Sequence, residues 1–372
     1  MPWLVARAIL PANAYQPGPP SGARVKVDNG VEPPFPGQPI PGFSALLDRR
    51  DGTFLAMPDN GFGARANSAD FLLRLYRIRP HFRTTRGGAG TIDVLGFAQL
   101  RDPDRKVPFD LSREDRLLTG ADFDLESACM APNGDLWFGD EFGPFLLHTD
   151  ASGKVLEAPY GLGWSSPQNP LQPDSSAWTV GASRGFEGMA LAGHRLYPIL
   201  EGALRGDHEP RRRVLYEFDL GLRRYTGRIW PYRVDAEFPD ALIGDLAALD
   251  DHRFVLIERD DLQGAEARHK KVYLIDLGRL DWEGFLEKRL VVDLLSIRDP
   301  GRISLPARPG EIGVGDPFSF PLQSVESIAA LGRDRLLLAN DNNYPSSDGR
   351  WAGRDRPDDV ELIIVHVDEL RR

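Results

Sequence analysis

Acidic residues recur in pairs along the chain, and each pair brackets a short apolar segment with turn-forming residues at its centre. If each segment folds as an antiparallel hairpin, residues equidistant from the turn lie opposite one another, with Cβ atoms about 4.5 to 5.5 Å apart. Two carboxylates so placed repel each other unless a cation lies between them, so the repeated pairing predicts bound metal. The pairs are Glu126 with Glu141, Glu187 with Glu201, Asp245 with Glu258 and Glu326 with Asp341, preceded by a degenerate pair of Ser44 with Asp59.

Ten residues in or beside these pairs are the predicted metal ligands. Nine of the ten bracketing positions are acidic, whereas only 55 of the 372 residues in the chain are, so the pattern exceeds what solvated strand ends alone would give. The mixture of carboxylates and side-chain amides favours calcium, whose coordination geometry is tolerant, with magnesium and manganese as alternatives. The predicted ligands are Asp59, Asn60, Glu126, Asp140, Glu187, Glu201, Asp245, Glu326, Asp341 and Asn342.

Other side chains suit roles in hydrolysis around such a metal. Glu141 and Glu258 are candidate general bases, provided that the metal leaves them unligated. Arg65, Arg184 and Arg259 lie close to acidic positions in the sequence and are candidate ligands for an anionic substrate, although ion pairs with the acids explain them equally well. The seven histidines show no paired spacing and there is one cysteine, so zinc is not expected.

The elements that must position these side chains are predicted from a repeat. Each copy contains strands without a helical pattern, and the copies start 58 to 82 residues apart, which is typical of propeller blades. We therefore expect an all-β fold, a single β-propeller domain over residues 1–372 with five blades, or six if the Pro-rich segment 23–41 forms another. The last copy lacks an outer strand, so residues 1–10 are predicted to supply it and close the ring. The copies are marked by Ser44, Glu126, Glu187, Asp245 and Glu326.

Composition restricts the partners of the protein. The net charge is −10, which argues against general binding of nucleic acid or of an anionic membrane surface. No apolar run approaches the roughly 18 to 20 residues of a membrane-spanning helix. The N-terminal sequence MPWLVARAILPANA has no charged start and Arg7 interrupts its apolar stretch, so no signal peptide is expected within the chain.

Five linked motifs resemble a known family. They are DGTFLAMPDNGFGAR, FDLESACMAPNGDLWFGDEFGP, GFEGMALAG, IGDLAALDDHRFVLIERDD and SVESIAALGRDRLLLANDNNYP. In this order, within the span from about Gly42 to Asp368, they resemble the phytase-like family, also described as having esterase-like activity of phytase. The resemblance implies a bacterial, often exported, β-propeller-like protein that hydrolyses phosphoric esters. It suggests an extracytoplasmic location if a leader was removed, and a cytoplasmic one otherwise. Ser44 departs from the acid of the other copies.

Three functions fit this sequence, and the first is favoured. The first is a metal-dependent hydrolase of phosphoric or related esters, acting on a small molecule at the acidic end of the central channel, where the metal polarises the phosphoryl oxygens. The second is a non-catalytic propeller that calcium stabilises and that binds a ligand or a protein. The third is a lactonase or carboxylesterase built on a calcium propeller. The oligomeric state is left open.

Overall fold

The regular secondary structure consists almost entirely of β-strands. The computed structural model describes residues 1–172, 174, 176, 178–351 and 353–371, and helix within them is confined to short 3-10 turns such as Gly264–Glu266 and Asp368–Arg371. No described helix has the length and apolarity needed to cross a membrane. The strands are β1 (Trp3–Leu10), β2 (Tyr15–Gln16), β3 (Gln38–Pro39), β4 (Ala45–Asp48), β5 (Phe54–Met57), β6 (Arg74–His81), β7 (Thr91–Gln99), β8 (Leu125–Met130), β9 (Leu136–Asp140), β10 (Phe145–Thr149), β11 (Tyr160–Gly161), β12 (Phe186–Ala192), β13 (Arg195–Leu200), β14 (Arg212–Asp219), β15 (Arg224–Arg233), β16 (Leu242–Ala248), β17 (Arg253–Arg259), β18 (Lys270–Leu280), β19 (Leu286–Asp293), β20 (Ser324–Ala330), β21 (Arg335–Asp341) and β22 (Val360–His366).

Most of these strands belong to four-stranded antiparallel units. Strands β8 to β11, β12 to β15 and β16 to β19 each form one sheet in sequence order. An eight-stranded sheet contains two further units, β4 to β7 and β20 to β22 with β1, which a single parallel pair between Ile9 and Thr91 joins. The predicted all-β fold is confirmed. The described part of segment 23–41 forms no four-stranded sheet, since its strand β3 pairs only with β2.

The units are arranged so that their first strands meet. Strand β4 contacts β8, β8 contacts β12, β12 contacts β16, β16 contacts β20, and β20 returns to β4. An apolar core lies between each unit and the next. In one of these cores Ala45 and Leu75 of the first unit pack with Leu125 and Phe138 of the second, all of them buried. This arrangement brings one end of every first strand to a common centre.

A β-bulge in most first strands shifts the predicted pairing. Leu125, rather than Glu126, lies opposite Asp140, and the next pair is Ser127 with Gly139, so Glu126 is the extra residue. Bulges at the same position leave Glu187 and Glu326 unpaired in their units. Because a bulge adds one residue to one strand, the acids meet diagonally and do not lie directly opposite. The prediction of directly facing carboxylates is therefore wrong.

The N-terminal strand is tied to the last unit by a buried charge network. Strand β1 pairs antiparallel with β22. Arg7 Nε donates to Glu361 Oε1 at 2.9 Å, and Arg7 Nη2 lies 2.5 Å from Glu311 Oε1. Arg350 Nη2 donates to the same Glu361 oxygen at 2.8 Å. Burial acts to raise the pKa of Glu361, but Arg350 and Arg7 outweigh it and lower the pKa to about 2.

A Glu361→Gln variant is expected to be less stable at neutral pH by about 3 kcal/mol, because one pKa unit corresponds to about 1.4 kcal/mol. A carboxyl whose pKa is lowered on folding stabilises the protein fully above its unfolded pKa. That contribution disappears as the pH falls from about 4.5 towards 2. Urea unfolding of both proteins between pH 7 and pH 2.5 checks this, with Glu287→Gln at an exposed position as the control. A stability difference that stays constant on acidification would contradict it.

Candidate metal centre

Carboxyl groups converge on a cavity of about 180 Å³ at the centre of the ring, which we call the acidic chamber. Nine carboxyl groups line it, whereas the guanidinium groups of Arg184 and Arg259 are the only basic groups among its described lining residues. All nine except that of Asp261 belong to buried residues. The nine carboxyl residues are Asp59, Asp124, Glu126, Glu141, Glu187, Glu201, Asp261, Glu326 and Asp341.

Two repeated strand positions supply most of these acids. The bulge position of the first strand provides Glu126, Glu187 and Glu326. The end of the second strand, or the residue just after it, provides Glu141, Glu201 and Asp341. Because each unit repeats the same geometry, equivalent positions from successive units meet at the centre. The structure therefore brings together these six predicted residues, and Asp59 and Asn60 also line the chamber.

Two groups of three carboxyls are close enough to share a cation. One consists of Asp59, Asp124 and Glu126, and the other of Glu126, Glu141 and Glu187. In each group one oxygen from every residue lies within 4.8 Å of the others. We call them the first and second triads, and Glu126 belongs to both. They bring oxygen ligands together from three of the units, as hard divalent cations require.

Several of these oxygens are buried without a hydrogen-bond partner. They are Asp124 Oδ1, Glu141 Oε1 and Glu187 Oε1, none of which accepts a hydrogen bond from a described residue. A buried polar atom without a partner costs roughly 1–3 kcal/mol, and more when it is charged. Both triads contain such atoms. A bound cation would satisfy them, so the donor set fits a hard divalent ion.

The electrostatics of the chamber point the same way. Burial raises the pKa of Asp124 to about 7. Burial, with repulsion from neighbouring acids, also raises the pKa values of Glu126, Glu141 and Glu187 well above their ordinary range. Without a counter-ion, these carboxyls therefore retain protons at a pH where exposed carboxyls are ionised. Cation binding needs the deprotonated form and so must release protons.

Asp124 was not among the predicted ligands. It lies outside the repeat, two residues before Glu126 and just ahead of β8. Residues two apart in an extended segment point to the same side, so the Asp-x-Glu spacing of FDLES was the signal that could have revealed it. Its amide N–H donates to Asp140 Oδ1 at 2.8 Å, which holds the segment in place.

The two arginines of the chamber differ in their burial and in the number of carboxylates that they contact. Arg259 is buried and its Nη2 donates to Glu201 Oε1 at 3.1 Å and to Glu326 Oε1 at 2.8 Å. Burial acts to lower its pKa, but Glu326, Glu201 and Glu187 raise it above the ordinary value. Arg184 Nη1 contacts Glu201 Oε2 at 2.6 Å, while 38% of its side chain is exposed. Arg259 therefore serves as a fixed counter-charge, and Arg184 lies at the mouth.

The structure places Glu258, a predicted general base, outside the chamber. Its carboxylate accepts hydrogen bonds from Tyr232 Oη at 2.5 Å and Lys288 Nζ at 2.7 Å, and lies 2.8 Å from His269 Nε2. The reason is the alternation of side chains along β17, which turns Arg259 inward and Glu258 away. Asp235, Glu258 and His269 also form a metal-like cluster, but Lys288 Nζ lies 2.7 Å from both Asp235 and Glu258 and already neutralises it.

Four further predicted residues are also absent from the chamber walls. Arg65 donates to the carbonyl oxygens of Ala121 and Gln168. Both carboxylate oxygens of Asp140 accept backbone N–H groups, and Asn342 donates to the carbonyl of Asp358. The residues outside the chamber are thus Arg65, Asp140, Asp245 and Asn342.

Asp245 lies outside the chamber because the bulge of its unit is one residue earlier. The bulge position holds Gly244, where a Cβ would lie 2.2 Å from Val325 O. Asp245 follows it and accepts the N–H of Ile328.

The sequence matches the profile of the Phytase-like family, described as esterase-like activity of phytase, over residues 38–344. This span includes the four units from β4 to β19, strands β20 and β21 of the last unit, and every lining residue of the chamber. The chain belongs to the phytase-like family. Comparison of this phytase-like protein with curated proteins gives no match.

Several solved structures are similar to the phytase-like protein at low identity. The arabinanase of Bacillus subtilis is 10% identical with a TM-score of 0.42, over 88% of this chain and 94% of that chain. A luciferin-regenerating enzyme is 10% identical with a TM-score of 0.39, over 86% and 76%. A streptogramin B lyase is 10% identical with a TM-score of 0.38, over 98% of both chains.

Because Glu141 lies in the chamber and Glu258 lies outside it, their Gln variants are expected to change different properties, calcium affinity in the first case and stability in the second. Glu141→Gln is expected to weaken calcium binding to the phytase-like protein at least tenfold, because it neutralises a ligand of the second triad. Glu258→Gln is expected to lower the unfolding free energy, because Lys288 and His269 lose an ionised partner, but to leave calcium affinity within twofold. Calorimetric titration with calcium and urea unfolding measure the two effects. Equal losses of calcium affinity in both variants would contradict the assignment.

Proposed function

We propose that this phytase-like protein is a metal-dependent hydrolase of phosphoric esters. In the proposed architecture, residues 1–372 form one five-bladed β-propeller, with the strand in residues 1–10 closing the last blade. The observation that carries the function is the excess of buried carboxyl groups over guanidinium groups in the acidic chamber, with partnerless oxygens in both triads. The described activity of the family, esterase-like activity of phytase, supports the choice of substrate.

Calcium is the proposed cation. It accepts six to eight oxygen ligands in a tolerant geometry, whereas magnesium requires a near-ideal octahedron. The triads supply carboxylates from several units. Asn60 lines the same wall, but its Oδ1 already accepts the N–H groups of Phe62 and Gly63. Such a set suits calcium better than magnesium or manganese. Glu126, as a member of both triads, would contact either ion.

When bound, the cation would polarise the phosphoryl oxygens and lower the pKa of a water molecule beside the substrate. The residues of the chain then have distinct tasks. Arg184, partly exposed and with one carboxylate partner, binds the phosphate at the mouth. Glu141, whose Oε1 has no hydrogen-bond partner, is a ligand of the second triad in this scheme and is therefore not available as the general base. Arg259 is not a substrate ligand in this scheme, since Glu201 and Glu326 already engage it.

The cation is also needed before an anionic substrate can enter. At a pH where the chamber carboxyls are ionised, a phosphate dianion approaching them in a buried cavity is repelled, and the repulsion is stronger there than in water. Cation charge reverses the local field, while Arg184 and Arg259 alone leave an acidic excess. Substrate binding is therefore expected to depend on calcium, and the test of the function must control the metal.

The test compares phosphate release from phytate and from phenyl phosphate by calcium-loaded and chelator-treated protein. We expect turnover that the chelator abolishes and that added calcium restores. Calcium at about a hundred times its Kd should also stabilise the fold by about 2.7 kcal/mol. Calcium-dependent stabilisation with no turnover of either ester would show a non-catalytic propeller instead. Turnover confined to lactones or carboxylic esters would assign the chamber to that chemistry.

A further inference from the structure

A second cavity adjoins the acidic chamber. It has a volume of about 390 Å³, and its walls share Asp59, Gln323 and Asn343 with those of the chamber. We call it the side cavity. The two cavities are therefore neighbours, and a molecule with one group in the chamber has the side cavity beside it. Its size is within the range of small-molecule sites.

Aromatic side chains form one wall of the side cavity. Phe62 and Tyr344 line it, and both pack on Phe35, with ring centroids 5.7 Å and 5.2 Å away respectively. The hydroxyl of Tyr344 lies 2.6 Å from that of Tyr15, which fixes the ring. Fixed aromatic walls favour a planar or similarly apolar group by offset or edge contacts.

Two exposed cationic side chains also line the side cavity. Arg24 and Lys26 are exposed, and neither forms an ion pair with a described carboxylate. Arg24 Nη1 donates to the carbonyl of Ala66 at 3.0 Å, so its remaining donors are available. The acids that line the cavity are Asp28, whose Oδ1 accepts the N–H of Asn29, and Asp59, which it shares with the chamber. The charge of the side cavity is thus unlike that of the chamber.

The segment that carries these cations is held in a defined position. Asn29 Nδ2 donates to the carbonyl oxygens of Pro345 and Ser346, at 2.9 Å each. Gly22 has φ 76°, and a Cβ there would lie 2.6 Å from the ring of Phe35, so the turn needs glycine. The side cavity is therefore preformed, as small-molecule sites usually are.

We propose that the side cavity binds the alcohol part of the substrate, and that this part is a ring-sized group with a second anionic group held by Arg24 and Lys26. The inference rests on the proposed function for the position of the phosphate in the chamber. It goes further by assigning a substrate class: doubly anionic phosphoric esters with a planar or apolar body. Esters of small neutral alcohols would leave both the aromatic wall and the cations unused.

The test uses two probe pairs, each differing in one anionic group. The first is 4-carboxyphenyl phosphate against phenyl phosphate, titrated by calorimetry into calcium-loaded protein. The second is benzoate against benzamide, titrated by ligand-observed NMR with and without calcium. Wild-type protein is expected to prefer the more anionic member of each pair about tenfold, as two charge-assisted contacts at an exposed edge allow. An Arg24→Gln, Lys26→Gln double variant should lose both preferences.

The control is an Arg49→Gln, Arg50→Gln double variant, which removes two exposed arginines from the turn between β4 and β5 and should keep both preferences. If phenyl phosphate is neither bound nor hydrolysed but the benzoate preference depends on Arg24 and Lys26, the proposed function fails and the side cavity remains an anion site. If wild-type protein shows no preference, or if the preference survives in the Arg24, Lys26 variant, the inference is overturned.

Discussion

A Glu126→Gln variant is expected to lose cation binding at both triads. The rate of any calcium-dependent turnover should fall at least a thousandfold as a result. Glu126 is the one residue common to the two groups of close carboxyls. An amide presents one neutral oxygen where the carboxylate offers two charged ones, so neither triad retains its charge. Elemental analysis after dialysis against calcium, with calorimetric titration, gives the number of ions that remain.

Variants at the outer members of the triads provide the matched controls. Asp59→Asn changes only the first triad, and Glu187→Gln changes only the second. Each is expected to lower the calcium content by about one ion, whereas Glu126→Gln lowers it by about two. Far-ultraviolet circular dichroism confirms that the variants remain folded. If Glu126→Gln protein binds calcium as tightly as wild-type protein does, the triads are not the calcium sites. Only the family relationship then supports a hydrolase.

The repeat in the sequence predicts most of the chamber because it records a repeated backbone geometry. Glu126, Glu187 and Glu326 occupy one strand position in three units, and identical positions meet at the centre of a closed ring. Spacing alone is enough to align such residues. The prediction that the N-terminal strand completes the last unit rests on the same count, because the last repeat is one strand short. In the structure β1 pairs with β22.

The predicted positions of side chains differ from the structure where a single extra residue reverses the direction in which a side chain points. Side chains alternate along a strand, so an alignment that is off by one exchanges an inward position for an outward one. This happened in the fourth unit, where Asp245 was aligned with Glu126 although Gly244 holds the bulge position. The spacing of the acids does not reveal the position of a bulge, because that position depends on how closely neighbouring strands approach.

Contacts between distant segments of the chain cannot be predicted from the sequence for a different reason. The side cavity brings together Arg24, Phe62 and Tyr344 from three parts of the chain. Arg24 lies outside the repeat, and the other two occupy different positions in the first and last copies. No periodicity relates such residues, and only the docking of the segment around Asn29 on residues 345–346 places them together. The substrate class inferred from this cavity could therefore not have been proposed from the sequence.

An Arg259→Met variant is expected to destabilise the calcium-free protein by about 3–5 kcal/mol at pH 8, because it removes the counter-charge of Glu187 and Glu326 and leaves Glu201 with Arg184 alone. The loss should be much smaller near pH 5. Burial raises the pKa values of Glu187 and Glu201 in the folded state, so the folded protein binds more protons than the unfolded chain above about pH 4.3. Stability then falls as the pH rises through the folded pKa values. Urea unfolding in chelator at both pH values measures the difference.

A second substitution separates the charge effect from lost packing. Glu326 Oε1 is the closest partner of Arg259, at 2.8 Å, so Glu326→Gln should restore part of the stability of Arg259→Met at pH 8 while lowering the stability of the wild-type protein. Such opposite signs arise only if the two side chains interact through charge. If the two substitutions are simply additive, Arg259 contributes by filling space, and the neutralisation of this part of the chamber must come from bound cations alone.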